Sequence, residues 1–534
     1  MAISVAPGRP LTSPYPDTEP DTLPDTGPDH PRLAPPGRSC LGPATVPVSA
    51  TLAVNEVMDA RRTRGEPVLP MGFGEAGLPA HPLLREALSR AAGRTSYGPV
   101  AGEAALLEAA AGYWSRRDLP TDPDAVVAGP GSKALLFGLT EAIGGDVAVT
   151  RPSWVSYAAQ ASLARRVAHF VPGAGGVPDA SELARTVNEA KAAGRTIRSV
   201  IVTLPDNPTG TLASAAAVRA LGAVADKYDL VIISDEIYRD LLHDDDTVHP
   251  SPALLYPERT VVTTGVSKNF ALGGWRLGVT RLPDGWLGRE LRARLLGIGS
   301  EIWSSPAAPV QQAAAIAFDE PPVLAQRVAL SRRLHGSVAR AVAHRFSAAG
   351  ARVPAPQAAF YVYPDFSPLA GVLLRRHGIT SDVGLAGLLL REYGVGVLPG
   401  SAFGEAPGWL RLRVATALLY GDTEDQRITA LGAADPCSLS WIAASLDRLE
   451  EVLADLTGKR LARQGPDRGG TGAPPEGGRR RGVGGPPTRT AAHDPLRADP
   501  GQPKRRSAGT EPCASYCRNM PDRRSVRGLL IRDL

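Results

Sequence analysis

The stretch that decides the fold runs SVIVTLPDNPTGTLASAAAVRALGAVADKYDLVIISDEIY, from Ser199 to Tyr238. Ser199–Thr203 is a continuous apolar, β-branched run, as strands buried on both faces are. Leu204–Gly210 follows, with two prolines and a glycine, and reads as a loop. Ala213–Tyr228 reads as a helix and Leu230–Ser234 as a second buried strand. Strand, helix, strand is the unit of a parallel sheet covered by helices.

The alternation continues in both directions. Val126–Ala128 is a short strand, and Gly129-Pro130-Gly131-Ser132 opens a helix through Ile143. Asp146–Thr150, Thr260–Thr264 and Arg276–Thr280 are further strands. The expected fold class is α/β, a mostly parallel sheet flanked by helices in a large domain. In such sheets ligands bind beyond the carboxyl ends of the strands. Upstream, helices are expected at 50–63, at 82–92 starting on Pro82, and at 102–114. Downstream come long helices at 286–299, 306–318 and 321–348. Strand-like pieces follow at 359–363, 395–397 and 410–416, and a helix at 438–457. These read as a smaller α+β domain.

The ends of the 534-residue chain differ from the middle. Residues 1–45 hold 11 prolines, and 22 of the 75 residues in 460–534 are Gly or Pro. Such segments bury too little apolar surface to offset chain entropy. The expected organisation is a Pro-rich segment at 1–45, the N-terminal part of the small domain at 46–84, and a large cofactor-binding domain at 85–320. The C-terminal small domain is expected at 321–459 and a basic Gly/Pro/Arg-rich tail at 460–534. Residues 460–534 carry a net charge of +9, while the whole chain carries +5, so the remainder is acidic by 4. The basic character therefore says little about partners of the globular part, and the tail lacks the interleaved aromatics of a nucleic-acid site. Four cysteines, three of them in the presumed tails, exclude a disulfide scaffold and fit a reducing compartment. There is no apolar run of 18 residues and no secretory leader pattern, so a cytoplasmic protein without a membrane segment is expected.

Four strand ends carry reactive groups. Asp206-Asn207-Pro208-Thr209-Gly210 follows the first strand quoted, and Asp235-Glu236-Ile237-Tyr238 the second. Gly265-Val266-Ser267-Lys268 follows Thr260–Thr264, with Gly273-Gly274-Trp275-Arg276 close behind. Gly129–Lys133 is a glycine-rich turn opening a helix, where free N–H groups and the helix dipole suit a phosphate. An aldehyde cofactor with a phosphate and a pyridine ring needs this set: a lysine for the Schiff base, an acid for the ring nitrogen and an anion nest.

In this order the motifs resemble the fold-type-I pyridoxal-phosphate enzymes, specifically the class I and II aminotransferases similar to aspartate aminotransferase. The matching stretches run from about Gly72 to Ala415. Besides those above, they include Tyr97-Gly98-Pro99-Val100-Ala101-Gly102, Arg151-Pro152-Ser153-Trp154, Ala359-Phe360-Tyr361 and Arg411-Leu412-Arg413-Val414-Ala415. The resemblance implies that Lys268, preceded by Ser267, forms the Schiff base and shuttles the proton. Asp235 would pair with the pyridinium nitrogen, and Tyr238 and Asn207 would hydrogen-bond the ring's phenolic oxygen. Arg276 would clamp the phosphate, with Gly131, Ser132 and Lys133 at the helix start beside it. Relatives often carry a serine three residues before the lysine; here Gly265 stands there, so that contact is lost or replaced. Trp154 would stack on the ring, and Tyr97 would reach the phosphate of a neighbouring subunit, which requires a homodimer. Arg411 would bind the substrate α-carboxylate in preference to Arg413, with Gly74 beside it and Phe360 as a lid.

The implied activity is transfer of the amino group of an L-amino acid to a 2-oxo acid. Lys268 and Asp235 would equally serve a carbon–sulfur β-lyase or an aminocyclopropane-carboxylate-synthase-like reaction. A regulator that kept such a domain would need a DNA-binding domain before it, and 1–45 is too short and proline-rich. His243-Asp244-Asp245-Asp246 and His249 hold metal-ligand side chains, but the family has a surface loop there and a solvated loop is expected.

Overall fold

The computed structural model describes residues 50–458. The expectations for 1–45 and 460–534 lie outside these residues. Thirteen strands occur among the described residues. They are β1 (Leu69–Pro70), β2 (Val126–Gly129), β3 (Asp146–Arg151), β4 (Ala168–Ala174), β5 (Val177–Pro178), β6 (Ile197–Thr203), β7 (Val231–Asp235), β8 (Thr260–Gly265), β9 (Gly278–Arg281), β10 (Tyr361–Val362), β11 (Val395–Gly396), β12 (Leu398–Pro399) and β13 (Leu412–Ala415).

Eight of them form one sheet in the order β2-β9-β8-β7-β6-β3-β4-β5. The central strands run parallel, and β9 and β5 are antiparallel to their neighbours. Successive strand residues face opposite sides of the sheet, so apolar runs are buried twice. On one face Val200, Val202 and Ile232 pack with Leu183, Val218 and Leu221, from helices Ala180–Ala192 and Ala215–Lys227. On the other, Val149, Ile201, Ile233 and Val261 pack with Leu135, Leu139, Leu291 and Leu295, from helices Ser132–Ile143 and Gly285–Ile302. Each such side chain contributes about 1.5–3 kcal/mol when fully buried, so both faces of the sheet are closed.

A second apolar cluster gathers Leu334, Val338 and Phe346 of helix Pro322–Ala349 with Leu446, Leu449 and Leu453 of helix Ser440–Thr457. Against it lie the short sheets β10-β13-β12 and β1-β11. The N-terminal β1 therefore joins the C-terminal half through its parallel pairing with β11.

Two features escape a reading of hydropathy. Strand β4, AHFVPGA, holds Pro172 and Gly173 and is only partly buried, as suits a strand near the sheet's edge. The strand expected at Arg276–Thr280 begins at Gly278, because Arg276 is left-handed, with φ 52°. Among the described residues no helix is long and apolar enough to cross a membrane.

Candidate active site

The register across the sheet sets Thr203 opposite Asp235 and Asp235 opposite Thr263. Groups placed just after β6, β7 and β8 therefore emerge side by side. They open into a cleft of about 590 Å³.

Lys268 sits in the single helical turn Val266–Asn269 that follows β8. Its Nζ donates to the Gly74 carbonyl oxygen. Withdrawal from water lowers its pKa to about 8, with Arg413 adding to the fall. Near neutral pH a substantial minority of this amine is therefore the free base, as a nucleophile must be.

Asp235 ends β7 and is 3% exposed. Tyr157 Oη donates to its Oδ2 at 2.8 Å and Thr263 Oγ1 to its Oδ1 at 3.4 Å. These partners are neutral, and burial pushes the carboxyl up to about 6. A buried carboxylate so placed gains from a cation brought to it. Beside it Asn207 Nδ2 donates to Tyr238 Oη at 3.4 Å, while Asn207 Oδ1 is buried with no partner among the described residues.

The anion nest is built from three elements. Gly131 caps helix Ser132–Ile143 at φ 86°. The Arg276 guanidinium packs where a Gly131 side chain would stand, so a Cβ there would collide with it. Arg276 is held by donation from Nη1 to Gly273 O at 2.8 Å. Ser132 and Ser267 also line the cleft. Gly265 is glycine for a steric reason: a Cβ would stand 2.7 Å from the Leu277 carbonyl oxygen. No hydroxyl is supplied from that position, and neighbouring Thr264 Oγ1 is buried without a partner among the described residues.

Lys133 lines the cleft with its Nζ 5.1 Å from the Trp154 ring, and Trp154 meets Tyr157 edge-on at 5.3 Å. The Lys133 side chain has no hydrogen bond or ion pair among the described residues, and burial lowers its pKa, followed by the charge of Arg276. Tyr97 is 89% exposed and is not among the cleft-lining residues.

Two expected positions move. Arg411 lies outside the cleft. Its Nη1 donates to Glu405 Oε1 at 2.5 Å and its Nε stands 3.5 Å from Asp365 Oδ2. It lines a separate cavity with those two carboxylates and Tyr363. Arg413, two residues on and inside β13, is the arginine that reaches the cleft. It is 1% exposed, its Nη2 donates to Gly72 O, and its guanidinium lies 5.2 Å from the Tyr361 and Phe403 rings. Its Nε has no partner among the described residues. The reason is electrostatic: Glu405 and Asp365 neutralise Arg411 in place, whereas no carboxylate among the described residues pairs with Arg413.

Phe360 is no lid. It is wholly buried behind Tyr238, 6.0 Å from that ring and 5.1 Å from His335. Its neighbour Tyr361 lines the cleft instead. Gly74 lies where expected beside an arginine, now Arg413; a Cβ on it would come within 2.5 Å of Tyr361 Oη. The 243–249 stretch is also less solvated than expected. His243 bonds the carbonyls of Pro356 and Ala359, and buried His249 bonds Leu204 O. No group of three or more potential metal ligands occurs among the described residues.

The chain matches the profile of the family described as aminotransferase class I and II over residues 73–418. It is 32% identical over 378 residues to the aspartate/prephenate aminotransferase of Thermus thermophilus, covering 69% of this chain and 92% of that protein. It is 33% identical over 398 residues to the aspartate aminotransferase of Geobacillus stearothermophilus, covering 72% and 96%. Among solved structures, that of aspartate aminotransferase from Thermus thermophilus with maleate superposes with a TM-score of 0.64 at 29% identity, covering 76% of this chain and 97% of that one. Likeness that spans nearly the full length of these relatives, on a sheet that carries the matching motifs at its strand ends, makes the chain a member of the class I and II aminotransferase family.

Proposed function

We propose that this aminotransferase works with pyridoxal 5′-phosphate, taking the amino group of an L-amino acid and passing it to a 2-oxo acid in two half-reactions. The observation that carries the reading is the Asp235 carboxylate, buried among neutral partners in the cleft that also holds the Lys268 amine. Asp235 supplies the anion a pyridinium nitrogen needs, and Arg276 with the Gly131–Ser132 helix start supplies the phosphate cradle. Bound there, the cofactor would supply an aldehyde carbon for an amine to attack and a ring that withdraws electrons from the substrate. Lys268 would supply the amine that holds that carbon and, once freed by the incoming substrate amine, the base that moves the Cα proton. Trp154 would cover one ring face, and Asn207 and Tyr238 would face the ring oxygen.

For the substrate, Arg413 is the fork for the α-carboxylate, with Gly74 close to it. Lys133, uncompensated beside Trp154, offers a second positive charge. That supports a dicarboxylic donor and acceptor, in line with relatives named for aspartate and a relative's structure with maleate. No observation favours the lyase or ring-closing alternatives. We further propose a cytoplasmic homodimer, supported by the exposed Tyr97 phenol lying outside its own cleft. The division into a large domain at 85–320 and a small domain from 46–84 and 321–459 goes with that reading.

Reduction of the purified protein with borohydride tests the cofactor assignment. The label is expected on Lys268 alone, and peptide mapping to another lysine overturns it. A second test concerns Tyr157. Tyr157→Phe removes one neutral hydrogen bond from Asp235, worth about 1 kcal/mol. The expected result is a fall in kcat of about fivefold, largest at acidic pH. The sign follows from Asp235: burial already raises its carboxyl, loss of a donor raises it further, and the protonated form no longer holds a cationic ring. A pH–rate profile unchanged on its acid side argues against this role.

A further inference from the structure

Tyr361 brings a third phenol into the cleft, beside Tyr157 and Tyr238, and the roles above leave it without a task. Tyr238 Oη is met by two groups, Asn207 Nδ2 at 3.4 Å and Tyr361 Oη at 2.8 Å. A phenol has one proton to give and two lone pairs to receive with. The Asn207 amide nitrogen can only donate, so it occupies one lone pair. The direction of the Tyr238–Tyr361 bond decides the rest. If Tyr238 donates to Tyr361, it has no proton left for the cleft. If Tyr361 donates, both lone pairs of Tyr238 are used and its own proton is free.

The surroundings favour the second direction. Tyr361 Oη has no other hydrogen-bond partner among the described residues, so its proton has one protein acceptor. The Arg413 guanidinium lies 5.2 Å from the Tyr361 ring and withdraws electron density from it, which makes its hydroxyl the better donor. Gly74 leaves the room this hydroxyl needs.

We propose that Tyr361 is a positioning residue for the transamination: by donating to Tyr238 Oη it commits the Tyr238 proton to the ring oxygen of the cofactor. The inference rests on the pyridoxal-phosphate reading and deepens it. It also ties the carboxylate-binding arginine to the ring oxygen through two phenols in series, Arg413 to Tyr361 to Tyr238.

The readout is the pH midpoint of the cofactor's absorbance band in the holoenzyme. A hydrogen bond from Tyr238 to the ring oxygen favours the unprotonated linkage to Lys268, so weakening it raises the midpoint. The charged and titratable groups facing Lys268 are Arg413, Glu75, Arg276 and Asp235, and Tyr238 faces Asp235 and Arg413. Tyr361→Phe keeps all of them. Tyr238 keeps its proton for the ring oxygen in this variant but loses the polarisation that the proton donated by Tyr361 gives it, so the expected shift is upward by about 0.1–0.5 pH unit. In a Tyr238→Phe background the same substitution is expected to add nothing, because Tyr361 acts only through Tyr238. An unmoved midpoint in Tyr361→Phe overturns the inference, as does an equal shift in both backgrounds, which marks a role in packing. A wild-type protein without any such band overturns the cofactor reading, and this inference with it.

Discussion

Lys268→Ala is expected to slow the half-reaction with an amino acid by a factor of several thousand, about 5 kcal/mol in the barrier. The loss is this large because one amine has two tasks. On the proposed reading, Lys268 first tethers the cofactor and, once displaced, is the base nearest the substrate's Cα proton. Its environment prepares it: burial and Arg413 lower its pKa to about 8. Cofactor binding itself is expected to persist, since Arg276, the Gly131–Ser132 helix start and Asp235 remain. Rapid-mixing spectra of the variant, reconstituted and then given aspartate, separate the two effects. Near-normal conversion would remove Lys268 from the mechanism.

Arg413→Ala is expected to raise KM for the amino acid by about two orders of magnitude, with a smaller fall in kcat from poorer orientation. Arg413 is 1% exposed and its Nε is unpartnered, so a carboxylate arriving in the cleft meets a guanidinium with donors to spare. Arg411→Ala should behave differently. Its guanidinium is engaged with Glu405 and Asp365 outside the cleft, so KM should change less than about threefold. Stability should fall by about 1–3 kcal/mol, because the side chain of Glu405 is 1% exposed and would lose its cation. Steady-state kinetics and urea titrations of both variants decide the matter. A large KM effect in Arg411→Ala with none in Arg413→Ala would return the carboxylate to the position that the motif alone suggests.

That exchange shows where sequence stops being informative. Asn207, Asp235, Tyr238 and Lys268 are legible because each follows an apolar run that can only be a buried strand, and such strands deliver their next residues to one edge. Residues two apart on a strand take the same face, so alternation alone cannot choose between Arg411 and Arg413. The choice is made by Glu405 and Asp365, whose approach depends on tertiary folding. Phe360 and Tyr361 differ for a local reason: Ala359 takes a left-handed backbone, φ 54°, and the strand starts at Tyr361. Tyr157 gave no signal at all. It lies inside helix Ser156–Leu163 and finds Asp235 across 78 residues of chain. A tyrosine in a short helix reads as core until the sheet order β7-β6-β3 brings the two together.

The register of β6, β7 and β8 bears on how such a protein tolerates change. Adjacent strands in any sheet stand about 4.8 Å apart, a spacing fixed by the peptide hydrogen bond and indifferent to side chains. Thr203, Asp235 and Thr263 lie along one rung of that ladder. The lateral separation of the groups that follow them is thus gauged by the backbone. That gauge does not depend on which side chains the strands carry. Across the cleft, Arg413 and Tyr361 stand on the short β13 and β10, outside that sheet. Their distance from Asp235 is set by packing between separate sheets and not by a shared hydrogen-bond ladder.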